Sequence, residues 1–272
     1  MKKTLATLAL IVIANSAYAK RNAEEVLTSG STPEEIGKQI AIEADDRDFG
    51  FGDMEVDLRM VLRNAHGEEI KREQRNKTLE VADKSVGDKS LIIFDNPPDV
   101  KGTAFLTFSK ILDPDDQWLY LPSLKRVKRI SSKNKSGPFV GSEFAYEDIS
   151  SQEVDKYTYK YVETEACGDM DCFKLERYPA YEHSGYTKQI VWIDTEEFRP
   201  IKIDFYDRKS ELLKTLTYEG YKQYIGKIWR ADKFKMVNHQ TGKSTDISWE
   251  NYRFKVGLKE SDFTKASLKR VR

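Results

Sequence analysis

The chain reads as a mainly β protein: one large, strongly curved antiparallel sheet with an amphipathic helix ahead of it and short lid segments over it. Three observations point there. From Asp53 onward apolar and polar residues alternate with a period of two, the spacing that sends successive strand side chains to opposite faces. The strand-like runs are joined mostly by hairpin-sized turns, such as 208–210 and 240–243, and short connections between sequential strands imply antiparallel pairing. The 14 tyrosines and 13 phenylalanines lie mostly in these alternating runs, where aromatic side chains suit a pleated surface.

Residues 1–19 have the layout of a secretory leader. Lys2 and Lys3 come first, an apolar stretch covers residues 5–14, and Ala17-Tyr18-Ala19 is an A-x-A cleavage site. The apolar stretch is shorter than the roughly 20 residues that span a bilayer as a helix. Cleavage after Ala19 is therefore expected, leaving 20–272 as a single domain in the periplasm. No cysteine follows the cleavage site to take a lipid anchor, and no later segment is long and apolar enough to span a membrane, so an integral membrane protein is not expected. The 45 cations balance 45 anions, and losing Lys2 and Lys3 barely shifts that balance. With no global field to draw the chain onto nucleic acid or an anionic membrane, any electrostatic recognition must be local, and no nucleic-acid partner is expected.

Residues 20–31 read as an irregular arm. Thr32, Pro33 and Glu35 then form a helix start, with an N-cap, a first-turn proline and a capping box. Ile36, Ile40 and Ala44 recur at helical spacing, and Asp45, Asp46 and Asp48 with Gly50 and Gly52 end the helix. Its narrow apolar stripe has to lie against the sheet. In the first strand Met54, Val56, Leu58, Met60 and Leu62 alternate with Glu55, Asp57, Arg59 and Arg63. A turn at 64–67 leads into a highly charged strand over 70–81. Further strands are expected at 91–94, 103–112, 118–121 and 125–130. After an irregular segment, 131–153, they resume at 156–165, 172–178, 187–194, 200–206, 212–223, 229–238 and 245–254.

A sheet of this size curls strongly or closes rather than lying flat. An outer-membrane barrel is the rival architecture. Against it, the strand at 156–165 would present Thr158 and Lys160 to lipid, and the chain ends in Lys269-Arg270-Val271-Arg272 rather than in an aromatic strand.

The stretch 113–151 interrupts the pattern. Asp113-Pro114-Asp115-Asp116 is a turn, and the short strand Trp118-Leu119-Tyr120-Leu121 is stopped by Pro122. Six cations follow without an intervening acid: Lys125, Arg126, Lys128, Arg129, Lys133 and Lys135. Gly137-Pro138 then breaks the chain, and Phe139, Phe144 and Tyr146 lead into Glu147-Asp148. The cations suit a solvated face and the aromatics suit core anchors. Their adjacency supports a second reading, in which Trp118, Tyr120, Leu121, Phe139, Phe144 and Tyr146 offer an apolar seat near a cavity mouth. Lys125, Arg126, Lys128 and Arg129 would then form a basic rim for an anionic amphiphile. Alternation along 124–130 puts Lys125, Val127 and Arg129 on one face, so not every cation can serve one site.

Cys167 and Cys172 flank a four-residue turn between two strand-like runs. Paired strands bring such positions within bridging distance, and an oxidising compartment favours a disulfide. A redox or metal pair is the alternative, but it lacks the tighter spacing, a helix, or two further ligands. His66, His183 and His239 each sit at a turn outside any metal-ligand spacing. No G-x-S-x-G, P-loop or H-E-x-x-H motif is present, so neither a cofactor nor a metal is expected. Enzymatic activity would need an unrecognised carboxylate site.

QWLYLPSLKRVKRI followed by SGPFVGSEFAYEDI resembles the bacterial outer-membrane lipoprotein-sorting protein family, the LolA-like carriers. The resemblance is closer to a branch with a treponemal founding member that often accompanies RND-type exporters. It implies a half-open β-barrel whose helices cover an apolar cavity for acyl chains, with no catalysis. The expected cargo is then a lipoprotein or other lipid carried towards the outer membrane, and the expected partners are an outer-membrane acceptor or an inner-membrane RND-type exporter. The alternatives are an exporter accessory module that carries no lipid, and a hydrolase.

Overall fold

The computed structural model describes residues 20–83 and 85–270; the expected leader lies outside them. Two helices, α1 (Ala23–Leu27) and α2 (Pro33–Asp48), precede strands β1 (Asp53–Arg63), β2 (Glu69–Leu79), β3 (Lys89–Asn96), β4 (Ala104–Phe108), β5 (Asp116–Leu121) and β6 (Arg126–Ile130). An irregular crossover, residues 131–156, leads to β7 (Tyr157–Cys167), β8 (Met170–Pro179) and β9 (Lys188–Asp194). The chain finishes its sheet with β10 (Pro200–Tyr206), β11 (Leu212–Tyr224), β12 (Ile228–Asn238) and β13 (Ser244–Phe254).

The spatial order is β6-β5-β4-β3-β2-β1-β13-β12-β11-β10-β9-β8-β7. First and last strands pair in the middle, with Leu58 opposite Trp249 and Leu62 opposite Thr245. Two meanders fan out from that pair, so β6 and β7, consecutive in the chain, become the two free edges of a curved, open antiparallel sheet. This is the curved antiparallel sheet that the alternation and the short turns predict, in the half-open form that the resemblance implies. Among the described residues no helix is long and apolar enough to cross a membrane.

The enclosed face carries the main core, in which Val56, Leu58 and Met60 of β1 meet Phe105, Phe173, Leu216 and Met236 from both meanders. A smaller cluster on the outer face packs Leu91, Ile93, Leu106 and Trp118 beneath Phe263 and Leu268. The Cys167–Cys172 disulfide closes the β7–β8 hairpin, with Cα atoms 5.9 Å apart.

Residues 20–31 are not the irregular arm expected of them. Asn22 caps α1 by accepting from the Glu25 amide at 3.0 Å, the Glu25 carboxylate accepts from the Asn22 amide at 2.7 Å, and Val26 is fully buried. The N-x-x-E spacing was legible, but a five-residue helix leaves no periodicity to read. α2 begins as expected, with Thr32 and Glu35 completing the capping box. It meets the edge strand β7 at Gly37, where a Cβ would lie 2.8 Å from the Tyr161 amide nitrogen and 3.0 Å from the Lys160 backbone.

That contact opposes helix propensity. Alanine in a helix interior is favoured over glycine by about 1 kcal/mol, whereas forcing bulk into a packed contact costs about 1–3 kcal/mol. Gly37→Ala should therefore lower the melting temperature in a thermal circular-dichroism scan; a higher melting temperature would show that α2 does not approach β7 this closely.

Candidate functional site

The crossover carries aromatics and acids together, and the sheet receives both. Phe139 and Phe144 are buried. The Phe139 ring packs edge-on against Phe105 at 5.1 Å and against Tyr146 at 5.5 Å. The acids are held by the second meander. Lys214 of β11 donates to the Glu143 carbonyl at 2.8 Å and to the Asp148 carboxylate at 2.6 Å, and the Tyr186 hydroxyl donates to Asp148 at 2.8 Å. Glu147 accepts from the Gly185 amide, the Ser184 hydroxyl and the Tyr181 hydroxyl at 2.8, 2.9 and 3.0 Å. Burial outweighs these bonds and pushes its pKa above the usual carboxylate value. From the first meander, Gln117 donates to the Tyr146 carbonyl and the Ser150 hydroxyl, and Arg72 donates to the carbonyl of Val140. Arg72, Lys214 and Thr245, whose hydroxyl accepts from the Glu143 amide at 3.0 Å, lie towards the end of the sheet marked by the β1–β2 turn, so the 140–143 part of the crossover packs into that end.

Beside it lies a cavity of about 530 Å³, within the roughly 300–1,000 Å³ range of small-ligand sites. Its apolar wall includes Leu58, Leu175, Ile193, Leu216, Phe234 and Ile247, each from a different strand, with Ala41 and Ala44 of α2 facing them. Two backbone features add aromatics. A β-bulge at Asn251 (φ 57) breaks the β1–β13 register and brings both Trp249 and Tyr252 to the cavity. Gly220 (φ 69) lets Tyr218 and Tyr221 do the same on β11.

β2 departs from this lining. Its alternate residues Gln74, Asn76 and Thr78 face the cavity. Gln74 is 2 % and Asn76 9 % exposed, yet Gln74 Oε1 and Asn76 Oδ1 have no hydrogen-bond partner among the described residues. The indole N–H groups of Trp229 and Trp249, also on the wall, have none either. Leu58 separates Gln74 from Trp249 in a row across β2, β1 and β13. A buried polar atom without a partner costs about 1–3 kcal/mol, and these residues make β2 a polar strip in an otherwise mostly apolar wall. Among the described residues no group of three or more His, Cys, Asp or Glu side chains is arranged to hold a metal ion.

Phe139 and Phe144 are the sequence-selected residues that line this cavity. Tyr146 packs behind them, 5.4 Å from Phe105, and Leu121 is half-buried against the same core; neither is on the wall. Trp118 and Tyr120 do not stand at a cavity mouth. Alternation along β5 turns Gln117, Leu119 and Leu121 to the enclosed face and leaves Trp118 and Tyr120 on the outer one, where Lys265 Nζ lies 4.5 Å from the Trp118 ring. Lys125, Arg126, Lys128 and Arg129 form no cavity rim. All four are exposed in or beside the free edge β6, and Arg129 pairs with Asp116. Charges at that position obstruct edge-to-edge pairing with another sheet. Lys135 leaves the run altogether, buried 3.8 Å from Asp115, which also pairs with Lys156.

Asp88, just before β3, also lines the cavity. It accepts from the Val81 amide at 2.9 Å, and burial pushes its pKa up to about 7. The unfolded chain holds this proton only up to the ordinary value of about 4. The contribution is therefore fully present below that pH and is lost as pH rises towards 7. Asp88→Asn should lose less melting temperature than the native protein between about pH 4 and pH 7; identical pH slopes would contradict the raised pKa.

A family model described as "Uncharacterized protein" matches residues 87–270. None of the curated proteins matches the chain. Solved structures do. An outer membrane lipoprotein-sorting protein domain from Vibrio parahaemolyticus is 54 % identical, covers 87 % of this chain and 100 % of its own, and superposes with a TM-score of 0.85. A DUF1329 family protein from Desulfovibrio piger is 30 % identical over 88 % of this chain and 100 % of its own, with a TM-score of 0.83. A LolA superfamily protein from Nitrosomonas europaea shares the fold at 22 % identity, covering 85 % of this chain and 98 % of its own, with a TM-score of 0.68. The chain belongs to the family of the outer-membrane lipoprotein-sorting protein domain and the DUF1329 protein, and it shares its fold with the LolA superfamily protein.

Proposed function

We propose that this protein is a periplasmic carrier that shelters the acyl part of a lipoprotein or another amphiphile inside the sheet on its way towards the outer membrane. The observation that carries this reading is the cavity itself: about 530 Å³ of open space between the sheet, α2 and the crossover, apolar on most sides and polar along β2. Each methylene kept from water contributes about 0.8 kcal/mol, so a long acyl chain is held without a tight fit and can still be released. The Vibrio relative is described as an outer membrane lipoprotein-sorting domain, and the leader expected at residues 1–19 supports a periplasmic setting.

The rival readings have less behind them. An accessory module docking on an RND-type exporter would have a filled interior and an exposed aromatic patch; this interior is open, and Trp118 is buried. A hydrolase would gather acids and a nucleophile in the cleft. Asp88 is a shifted acid there, but the partner its carboxylate binds is the Val81 backbone amide, and no hydroxyl or second acid is hydrogen-bonded to it among the described residues.

Ala231 and Leu216 are buried on the cavity wall. Ala231→Phe and Leu216→Trp should each weaken binding of a fluorescent fatty-acyl probe at least tenfold, about 1.4 kcal/mol, with little change in melting temperature, because the added bulk enters open space. The double reversal Arg126→Glu/Lys128→Glu should leave both measurements unchanged, since exposed charges contribute little. Undiminished probe binding in the cavity-filled variants would overturn the carrier reading.

A further inference from the structure

Five cations line the cavity: Arg47, Lys89, Arg177, Arg199 and Arg230. Four have a carboxylate of their own. Arg47 lies 2.8 Å from Glu43, Arg199 lies 2.8 Å from Asp194, Arg230 pairs with Asp48, and Lys89 pairs with Glu260. Arg177 forms no ion pair among the described residues. It lies on β8, 9 % exposed, and its Nε and Nη2 both donate to the side-chain oxygen of Gln189, the first at 2.7 Å. Gln189 is itself 2 % exposed. The guanidinium carbon sits 4.4 Å from the centre of the Tyr157 ring. The charge is thus held by one neutral dipole and one aromatic face, while Nη1 makes no hydrogen bond to the described protein.

A buried cation without a counterion is costly, and proteins ordinarily pair such charges or replace them with apolar side chains. This one is fixed from behind by Gln189 and presented to an open, mostly apolar space. A guanidinium is always charged, and its planar fork suits the oxygens of a carboxylate or a phosphate. Building on the carrier reading, we propose that Arg177 receives the acidic headgroup of the cargo. The preferred ligand is then an anionic amphiphile, with its oxyanion on Arg177 and its chain along the apolar wall. In place of the basic rim expected from the sequence stands one internal cation that forms no ion pair among the described residues. A neutral ester- or amide-linked acyl group would leave that charge uncompensated.

The test compares three ligands with one chain and different heads: hexadecanoate, hexadecyl phosphate and hexadecanol, titrated at low salt into delipidated protein. The native protein should bind at least one of the two acids at least tenfold more tightly than the alcohol, and the stronger of the two identifies the oxyanion as carboxylate or phosphate. Arg177→Met should abolish the preference, with the acids falling to the affinity of the alcohol. Gln189→Glu, an isosteric change that gives Arg177 an internal counterion, should abolish the preference without altering the cavity's shape. Equal binding of all three ligands by the native protein, or a preference that survives in both variants, overturns the proposal and leaves the carrier reading intact. Failure of all three ligands to bind overturns both.

Discussion

The structure depends on how the chain travels from β6 to β7. These strands are consecutive in sequence yet form opposite edges of the sheet, so residues 131–156 must cross the enclosed face. The pair between Lys214 and Asp148, with side chains 4 % and 6 % exposed, ties that crossing to β11. Removing one partner of a buried pair strands the other and typically costs about 3–5 kcal/mol. Tyr186 bonds the same carboxylate, and Lys214 also holds the Glu143 carbonyl. Because the crossover is bonded to both meanders, Phe139 and Phe144 are fixed in place. They pack against part of the enclosed face and leave the rest open. The cavity follows from that placement.

The second consequence concerns polarity. A cavity that served only as a grease pocket would have apolar side chains on every strand. Here β2 contributes Gln74 and Asn76 with oxygen atoms that have no hydrogen-bond partner among the described residues, and Trp229 and Trp249 contribute N–H groups in the same state. Buried polar atoms of this kind cost stability wherever they stay unpaired. The polar strip of β2 and the guanidinium of Arg177, which has no ion pair among the described residues, are the basis for proposing a cargo with a polar end inside the barrel.

Much of the architecture was legible because it rests on local rules. Period-two alternation marked β1, the capping box at Thr32 marked the start of α2, and the spacing of Cys167 and Cys172 marked a bridged hairpin. The site was less legible, for physical reasons. Alternation shows that Trp118 and Leu119 point to opposite sides of β5, but which side is enclosed is decided by long-range pairing and by where the crossover packs. The same ambiguity hid the inward row of β2, whose residues are polar on both faces. Arg177 was hidden differently. An arginine in a strand is ordinary; its significance comes from Gln189 standing where an acid would normally be, and that pairing belongs to the register of β8 against β9. The densest cation run drew attention because charge density is visible in sequence, whereas its role at a sheet edge is not.

The most direct test of the carrier reading is native mass spectrometry, with lipid extraction, of the full-length protein expressed with the leader expected at residues 1–19 and purified from the periplasm without detergent. The carrier reading predicts a folded species heavier than the mature chain by the mass of an acyl-bearing molecule, which the extract then contains. A spectrum showing only the unliganded chain, with no acyl lipid in the extract, would contradict it.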